Sequence, residues 1–281
     1  MSVFSVALHS PRLWLPGLAV AIAGCATSFA LWQQQQASVS SIAGLRLEQE
    51  TRLFAHALQR RMESHTDLLQ GMRGLFTVDA RLKRADFERV ASELSLRHLH
   101  PGVKNINFTR YVPGNQRAAF EAQTRRDAHM DGSLPSGFAI HPAQEQAEHF
   151  VVDYLWPPAG NVGMLGFDVH AVPAVLDALR RARDSRAMVA SAPIELSGAS
   201  TPRTGIMIRI PVYAPATTGV AGEEPFLGAI GVSVRIADVV QALRREGRLQ
   251  GLALVMHDVG LAGGQSATPQ LLYNADQPVN A

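Results

Sequence analysis

The sequence predicts an α+β protein in which an N-terminal transmembrane helix and a long stalk helix precede antiparallel sheets. Three observations lead to this fold class. Residues 13–32 contain no Asp, Glu, Lys or Arg, residues 54–76 carry a helical heptad pattern, and residues 103–275 alternate strand-like segments with helices. An order of helix, strand, helix, strand pair, helix and then mostly strands is typical of an α+β layout.

The composition suits a chain with a substantial core, in one large domain or two small ones. Of the 281 residues, 47% are hydrophobic and 18% are charged, and the formal net charge is +2. No polybasic segment or one-sided basic helix occurs, so we expect no nucleic-acid partner. Cys25 is the only cysteine, which excludes an internal disulfide and a thiolate metal site.

Residues 13–32 are long enough to span a membrane as a helix. Twenty helical residues rise about 30 Å, the thickness of the hydrocarbon core, and a tryptophan lies near each end of the run, where aromatic rings prefer the interface. Arg12 precedes the run, and no charged residue follows it until Arg46. This charge bias predicts a cytoplasmic tail at 1–12 and an extracytoplasmic location for the rest of the chain.

Two other fates of the apolar segment stay open. Residues 21–23 have the small-x-small form of a signal-peptidase site, and residues 22–25 resemble a bacterial lipobox that would carry a lipid on Cys25. Residues 29–32 prolong the apolar run past both cleavage points, and a cleaved mature end is usually polar. We therefore favour an uncleaved anchor over a lipoprotein or a secreted form.

Residues 33–78 are predicted to form a stalk and dimerisation helix. Four glutamines follow the anchor, and hydrophobic residues then recur at spacings of three and four, as in a core face or a dimer seam. The seam consists of Phe54, Leu58, Met62, His65, Leu69, Met72 and Phe76. We expect His65 to be a hydrogen-bonded interface histidine, and a pH-sensitive switch is the alternative.

The first half of the following region is predicted to contain two helices and two strands. The helix “RADFERVASEL” precedes the strand “VKNINFTRYV”, in which Asn105, Asn107 and Thr109 share one face and Ile106 and Phe108 the other. A polar helix at about 116–128 comes next. The strand “HFVVDYLWPP” then leads into the glycine-rich return “AGNVGMLGFDV”.

The second half is predicted to be richer in strands. The helix “PAVLDALRRARD” starts with Pro173 in its first turn, and a short strand near “APIEL” follows it. The strands “GIMIRIPVY” and “FLGAIGVSVRI” precede the helix “ADVVQALRRE”. Two further strands, “GLALVMHDV” and “QLLYNA”, close the region.

Three of these stretches resemble the CHASE domain, the extracellular sensory module of cyclase-associated and histidine-kinase-associated receptors. They read “PGVKNINFTRYVPGNQRAAFEAQTRRD”, “LGFDVHAVPAVLDALRRARDSRAMVASAPIEL” and “GIMIRIPVYAP”. The resemblance extends over roughly residues 50–275. The module occurs in plant cytokinin receptors and in many bacterial receptors.

The resemblance implies a fold and a mode of action. A long stalk helix would lead from the membrane into two PAS-like antiparallel-sheet subdomains stacked end to end, which together would form a sensory domain at 79–275. The sheet farther from the membrane would hold a small-molecule pocket. Two receptors would pair as a homodimer through their stalks, and the heptad seam is compatible with such pairing.

The sequence departs from the family pattern at two points. Family members often have Thr-Gly after the “RARD” stretch, whereas this chain has Ser185-Arg186, although left-handed helix ends favour glycine. Plant members bind the purine ring of their ligand through an acidic residue near the strand that matches “HFVVDYLWPP”. Asp153 is the nearest acid, His149 is an alternative for that position, and cytokinin itself is not implied.

Ligand sites are mostly apolar with a few placed polar groups, and this rule selects pocket residues from the strand “HFVVDYLWPP” and the return after it, from the segment after the helix, and from “GIMIRIPVY”. The candidate ligand-binding residues are Asp153, Tyr154, Leu165, Phe167, Ala190, Pro193, Ile206 and Ile208. Asp168 has two open roles, either as a cap of the following helix or as part of the pocket.

No catalytic, metal or cofactor site is predicted. The sequence lacks a P-loop, a His-Glu-x-x-His pair and a Gly-x-Ser-x-Gly elbow. We therefore expect the sensory part to be non-enzymatic and to work without a cofactor.

These observations predict a sensor in the cell inner membrane, with a single span and with its ligand-binding domain in the periplasm or outside the cell. Residues 276–281 would lead toward a second span and toward a diguanylate cyclase or histidine kinase output domain. Signalling through a partner protein is the alternative to such a continuation. The functional alternatives are a periplasmic lipoprotein or structural dimerisation module without signalling, and an unrecognised hydrolase.

Overall fold

The computed structural model describes most of the chain. The described residues are 15–131, 137–196, 204–215, 224–249, 251–260 and 268–275. Two compact units, 1–53 and 54–281, divide the chain. Helix α1, Leu15–Val78, contributes residues to both units.

The first unit is described from residue 15 onward and consists of the N-terminal part of α1. The predicted span at 13–32 begins two residues before the described region, and the predicted tail at 1–12 lies outside it. Side chains from 17 to 35 are exposed. None of the helices in the described ranges has both the length and the apolar character needed to cross a membrane.

The second unit contains the remaining five helices of the described residues. They are α2 (Arg84–Glu93), α3 (Leu96–Leu99), α4 (Arg117–Asp131), α5 (Pro173–Ser185) and α6 (Ile236–Arg245).

Proline stands at the first position of α5, as predicted. Arg186 ends α5 with a φ of 55°, so an arginine occupies the left-handed position that glycine usually takes. Its guanidinium stacks 4.1 Å from the Tyr213 ring centroid, a contact that glycine could not make.

Six strands form one antiparallel sheet in the order β2-β1-β6-β5-β3, with β4 also paired to β5. These strands are β1 (Val103–Pro113), β2 (Glu148–Trp156), β3 (Val189–Ala190), β4 (Ile194–Glu195), β5 (Thr204–Tyr213) and β6 (Phe226–Arg235). The predicted α+β class with antiparallel pairing is confirmed. A separate sheet has two strands in the described part of the chain, β7 (Val255–Asp258) and β8 (Gln270–Asn274).

One face of the large sheet packs on α1, α2 and α6, and we call it the α1 side. Alternate strand residues such as Phe108, Ile208 and Val232 are buried there. The rings of Phe76 and Phe108 lie 4.4 Å apart. Of the two interpretations left open for the heptad seam, a core face of this chain describes most of its residues.

The opposite face of the sheet is covered by α5 and by the segment after β2, and we call it the cavity side. Strand β1 is buried on both faces, although its alternating pattern predicted a half-buried strand. The difference arises because Asn105, Asn107 and Thr109 are enclosed and bond to one another and to neighbouring strands, so they need no water. The glycine-rich return forms two 3₁₀ turns, Val162–Met164 and Val169–Ala171.

Candidate functional site

A cavity of about 400 Å³ lies between the cavity side of the sheet, the start of α5 and the segment after β2. Known small-molecule sites have volumes of about 300–1,000 Å³. Five strands of the sheet contribute to the lining, namely β1, β2, β4, β5 and β6. The lining residues are Lys104, Asn105, Val152, Gly160, Asn161, Gly163, Met164, Phe167, Val169, Val172, Val175, Ile194, Glu195, Leu196, Met207, Arg209 and Ser233.

Apolar side chains form most of the cavity wall, and they come from different parts of the chain. Val172 and Val175 come from the start of α5, Phe167 from the segment before it, and Met207 from the centre of β5. Met207 also belongs to the apolar cluster that packs α5 on the sheet. The wall is therefore a continuation of the core, which gives it a fixed shape.

Buried polar side chains on the cavity side of the sheet form a line of hydrogen bonds, which we call the polar floor. Arg209, Asn105 and Ser233 of this line are among the lining residues. Nη1 of Arg209 donates to Thr109 Oγ1 at 2.7 Å, and that hydroxyl donates to Asn107 Oδ1 at 3.1 Å. Nδ2 of Asn107 donates to Asn105 Oδ1 at 3.1 Å. Oγ of Ser233 donates to the same Asn105 oxygen at 3.2 Å. Each bond orients the next, so the line holds its members in one arrangement.

The line continues from the sheet to the segment that covers the cavity. Nδ2 of Asn105 lies 3.5 Å from Asn161 Oδ1 and 3.9 Å from Met164 Sδ. Asn161 in turn donates to the Pro157 carbonyl at 3.0 Å, which fixes its side chain within the turn. The cover of the cavity is thus connected to Arg209 by side-chain hydrogen bonds.

Arg209 is the charged residue at the other end of this line. It is 1% exposed, and burial lowers the pKa of its guanidinium to about 10, so the group stays protonated at neutral pH. Among the described residues, the Thr109 hydroxyl is its only hydrogen-bond acceptor, and no Asp or Glu forms an ion pair with it. Gly231 makes room for it, because a Cβ at 231 would lie 3.1 Å from Nη1.

A family model of the CHASE domain matches residues 80–273. The chain belongs to the CHASE family. CHASE domains are extracellular sensory modules that bind ligands, which agrees with a cavity lined by apolar and placed polar groups.

Other comparisons give more distant results. Among solved structures, the chain is similar to an extracellular ligand binding receptor from Desulfohalobium retbaense DSM5692, with 11% identity and a TM-score of 0.47. The alignment covers 82% of this chain and 30% of that receptor. No curated protein matches the chain.

The residues predicted to bind ligand are divided between the two faces of the CHASE sheet. Phe167 lines the cavity, and half-buried Leu165 packs in the adjoining apolar cluster. Ile206 and Ile208 pack on the α1 side. Their neighbours Met207 and Arg209 line the cavity instead, because successive residues of a strand point to opposite faces.

Three further predicted residues lie away from the cavity lining. Ala190 is exposed on β3, and its carbonyl accepts a hydrogen bond from Arg181 at 3.1 Å. Pro193 is half-buried between β3 and β4. Tyr154 packs on the α1 side, where its hydroxyl donates to the Leu82 carbonyl at 2.7 Å. Burial raises the pKa of that hydroxyl to about 12.

Asp153 is the centre of a buried ion-pair cluster on the α1 side. One carboxylate oxygen pairs with Arg84 at 2.9 Å, and the other pairs with Nε of Arg110 at 2.5 Å. The register of β1 and β2 shifts between Phe108 and Thr109, and Asp153 lies in the resulting irregularity. The shift explains why Asp153 and the next residue both contact Arg110.

Asp168 joins the cover segment to β2 on the other side of the sheet. Its Oδ1 accepts a bond from the His170 amide at 3.1 Å, so Asp168 caps the 3₁₀ turn Val169–Ala171. It does not cap the following helix α5 as expected, because Val172 is the N-cap residue of α5. Oδ2 bonds to Nδ1 of buried His149 at 2.6 Å. Burial works to raise the pKa of Asp168, but hydrogen bonds from His149 and His170 outweigh it and lower the pKa.

Arg209, Ser233 and the asparagines 105 and 161 were not selected from the sequence. One feature of the sequence could have pointed to Arg209, since it is the only charged residue within the apolar strand “GIMIRIPVY”. An isolated charge in a buried strand requires a partner. The alternation of Asn105, Asn107 and Thr109 marks the matching polar face.

Proposed function

We propose that this chain is the sensory part of a transmembrane receptor and that a small molecule binds in the cavity beside Arg209. The single observation that carries the proposal is a cavity of about 400 Å³ whose lining includes hydrogen-bonded buried polar groups, within a CHASE domain. No catalytic step is part of this role. The specificity would come from the buried polar groups, since they lose hydrogen bonds to water and recover them only with a matching ligand.

The proposed receptor is held in the inner membrane by residues 13–32, with residues 33–78 as stalk and residues 79–275 as sensory domain outside the cytoplasm. The charge-free length of the segment, its aromatic ends and the preceding Arg12 support this topology. A diguanylate cyclase or histidine kinase is the proposed output.

The proposed signal is a shift between two arrangements of the sensory domain. A ligand that binds one arrangement more tightly changes its population by that difference in affinity. The cover segment is a suitable moving part, because Asn161 connects it to the polar floor through Asn105.

Pairing of two stalks would transmit the change. Because α1 around Leu69 is core in this chain, pairing would use the part of the helix before Phe54, where Leu45 and Leu47 are exposed.

A thermal-shift screen of the full chain in detergent or nanodiscs tests ligand binding. A ligand at a concentration of about 100 times its Kd adds about 2.7 kcal/mol to the free energy of unfolding and raises Tm. Ile194→Trp, which adds bulk to the cavity lining, is expected to abolish the shift. Val255→Trp, on exposed β7, is the matched control and should keep it. A library without any active compound, or an equal shift in Ile194→Trp, would contradict the proposal.

A further inference from the structure

Arg209 differs from the other buried arginines of the described residues. Arg84 pairs with Asp153 at 2.9 Å, and Arg235 lies 3.7 Å from a carboxylate oxygen of Asp238. Arg209 is as deeply buried as either, yet no carboxylate of the described chain pairs with it. Burying a charge without an opposite charge is strongly unfavourable, so proteins rarely keep one without a function.

The orientation of the guanidinium shows which of its donors are unused. Nη1 donates to Thr109, whereas Nε has no partner among the described residues. Nε itself is buried, but the residue lines the cavity, so a bound molecule would meet Arg209 there. A guanidinium forms charge-assisted hydrogen bonds with carboxylate oxygens.

The other charged groups of the cavity lining limit the charge of the ligand. Lys104 already pairs with Asp238 at 3.1 Å, so it does not offer a second free cation. Glu195 is the only carboxylate among the lining residues, and it would repel additional negative charge on a ligand. One free cation and one carboxylate favour a ligand with a single negative charge over a dianion such as phosphate.

The remaining wall defines the body of the ligand. Phe167, Val172, Val175 and Met207 offer an apolar surface, and the Asn161 amide lies at the cover. We infer that the cavity binds a small monocarboxylate with an apolar body, its carboxylate paired with Arg209 and its body against α5. This inference rests on the proposed sensor function and adds the chemical class of the ligand.

Paired probes test the inference on the full chain. Phenylacetate, benzoate, hexanoate and indole-3-acetate are compared with their neutral amides and with inorganic phosphate, by thermal shift and by calorimetry. At least one carboxylate is expected to bind, while its amide and phosphate bind on the order of tenfold to hundredfold more weakly. Arg209→Met is expected to weaken carboxylate binding by a similar factor.

Arg84→Met is the matched control, because it removes a buried arginine from the opposite face of the same sheet. Arg84→Met should lower the Tm of the ligand-free chain and leave carboxylate affinity within about twofold. Arg209→Met should leave that Tm unchanged or raise it, because it removes a buried charge without an ion-pair partner. The Tm of the ligand-free chain is measured without any ligand, and it also detects misfolding of a variant.

The outcomes separate the two claims. Binding of amides or phosphate as tight as that of carboxylates, or carboxylate binding that survives Arg209→Met, would overturn the inference and leave the sensor function standing. Failure of all four carboxylates at millimolar concentration would also overturn the inference. Failure of every compound in the broader screen would overturn the sensor function itself.

Discussion

At the residue scale, Asp153 shows how a reasonable prediction can select a residue with a different role. It is the acid nearest the position expected from the family, yet both of its carboxylate oxygens are paired with arginines on the α1 side. Val152, one residue earlier, lines the cavity. The sequence alone could not predict which face of the sheet Asp153 lies on, because that face depends on the irregular register between β1 and β2.

Replacing Asp153 therefore tests a structural role. Asp153→Asn leaves Arg84 and Arg110 without their shared anion, and we expect the free energy of unfolding to fall by about 3 kcal/mol. Asp177→Asn breaks the exposed pair with Arg181 on α5 and should cost less than about 1 kcal/mol. Urea unfolding monitored by circular dichroism measures both. Equal losses in the two variants would argue against a buried ion-pair cluster.

At the scale of elements, hydrophobic periodicity predicted most helices and strands of the sheet domain. The predicted segment for β6 contains the observed strand, and the one for β5 lacks only Thr204, since both faces of these strands are buried and their sequences are mostly apolar. The glycine-rich return gave no such signal, because 3₁₀ turns have no amphipathic period long enough to recognise. Periodicity also left open whether the α1 seam faces its own core or a second chain.

The fully buried His65 in that seam makes stability depend on pH. Burial, together with the charges of neighbouring His100 and Arg61, lowers the pKa of His65 from 6.5 to about 4, while the Pro101 carbonyl acts in the opposite direction. Between these two pH values the unfolded chain binds a proton that the folded chain does not bind. The free energy of unfolding therefore falls as the pH falls through this range.

Removing this histidine should reduce the pH dependence. Between pH 7 and pH 5, we expect the wild-type chain to lose about 1–2 kcal/mol more stability than His65→Leu. His56→Leu, at an exposed position of the same helix, should lose as much as the wild type. Urea titrations at the two pH values provide the comparison. Identical losses in wild type and His65→Leu would show that His65 does not contribute.

At the scale of the whole molecule, family membership and fold class followed from short motifs, but the site did not. Arg209 and Thr109 lie 100 positions apart and meet only because β5 and β1 both flank β6. No local pattern encodes such a meeting, so the polar floor became visible only when the strand order was known. The apolar face of α5 could be predicted, because its period is contained within one helix.

Hydrogen–deuterium exchange of the full chain tests the central claim, that this cavity is the ligand site of the sensor. It is measured with and without the compound that gives the largest thermal shift. The account predicts slower exchange at 157–172, at the start of α5 and in β5 around Arg209, with β7 and β8 unchanged. Protection confined to α2 and the surroundings of Asp153, or no protection near the cavity, would contradict it.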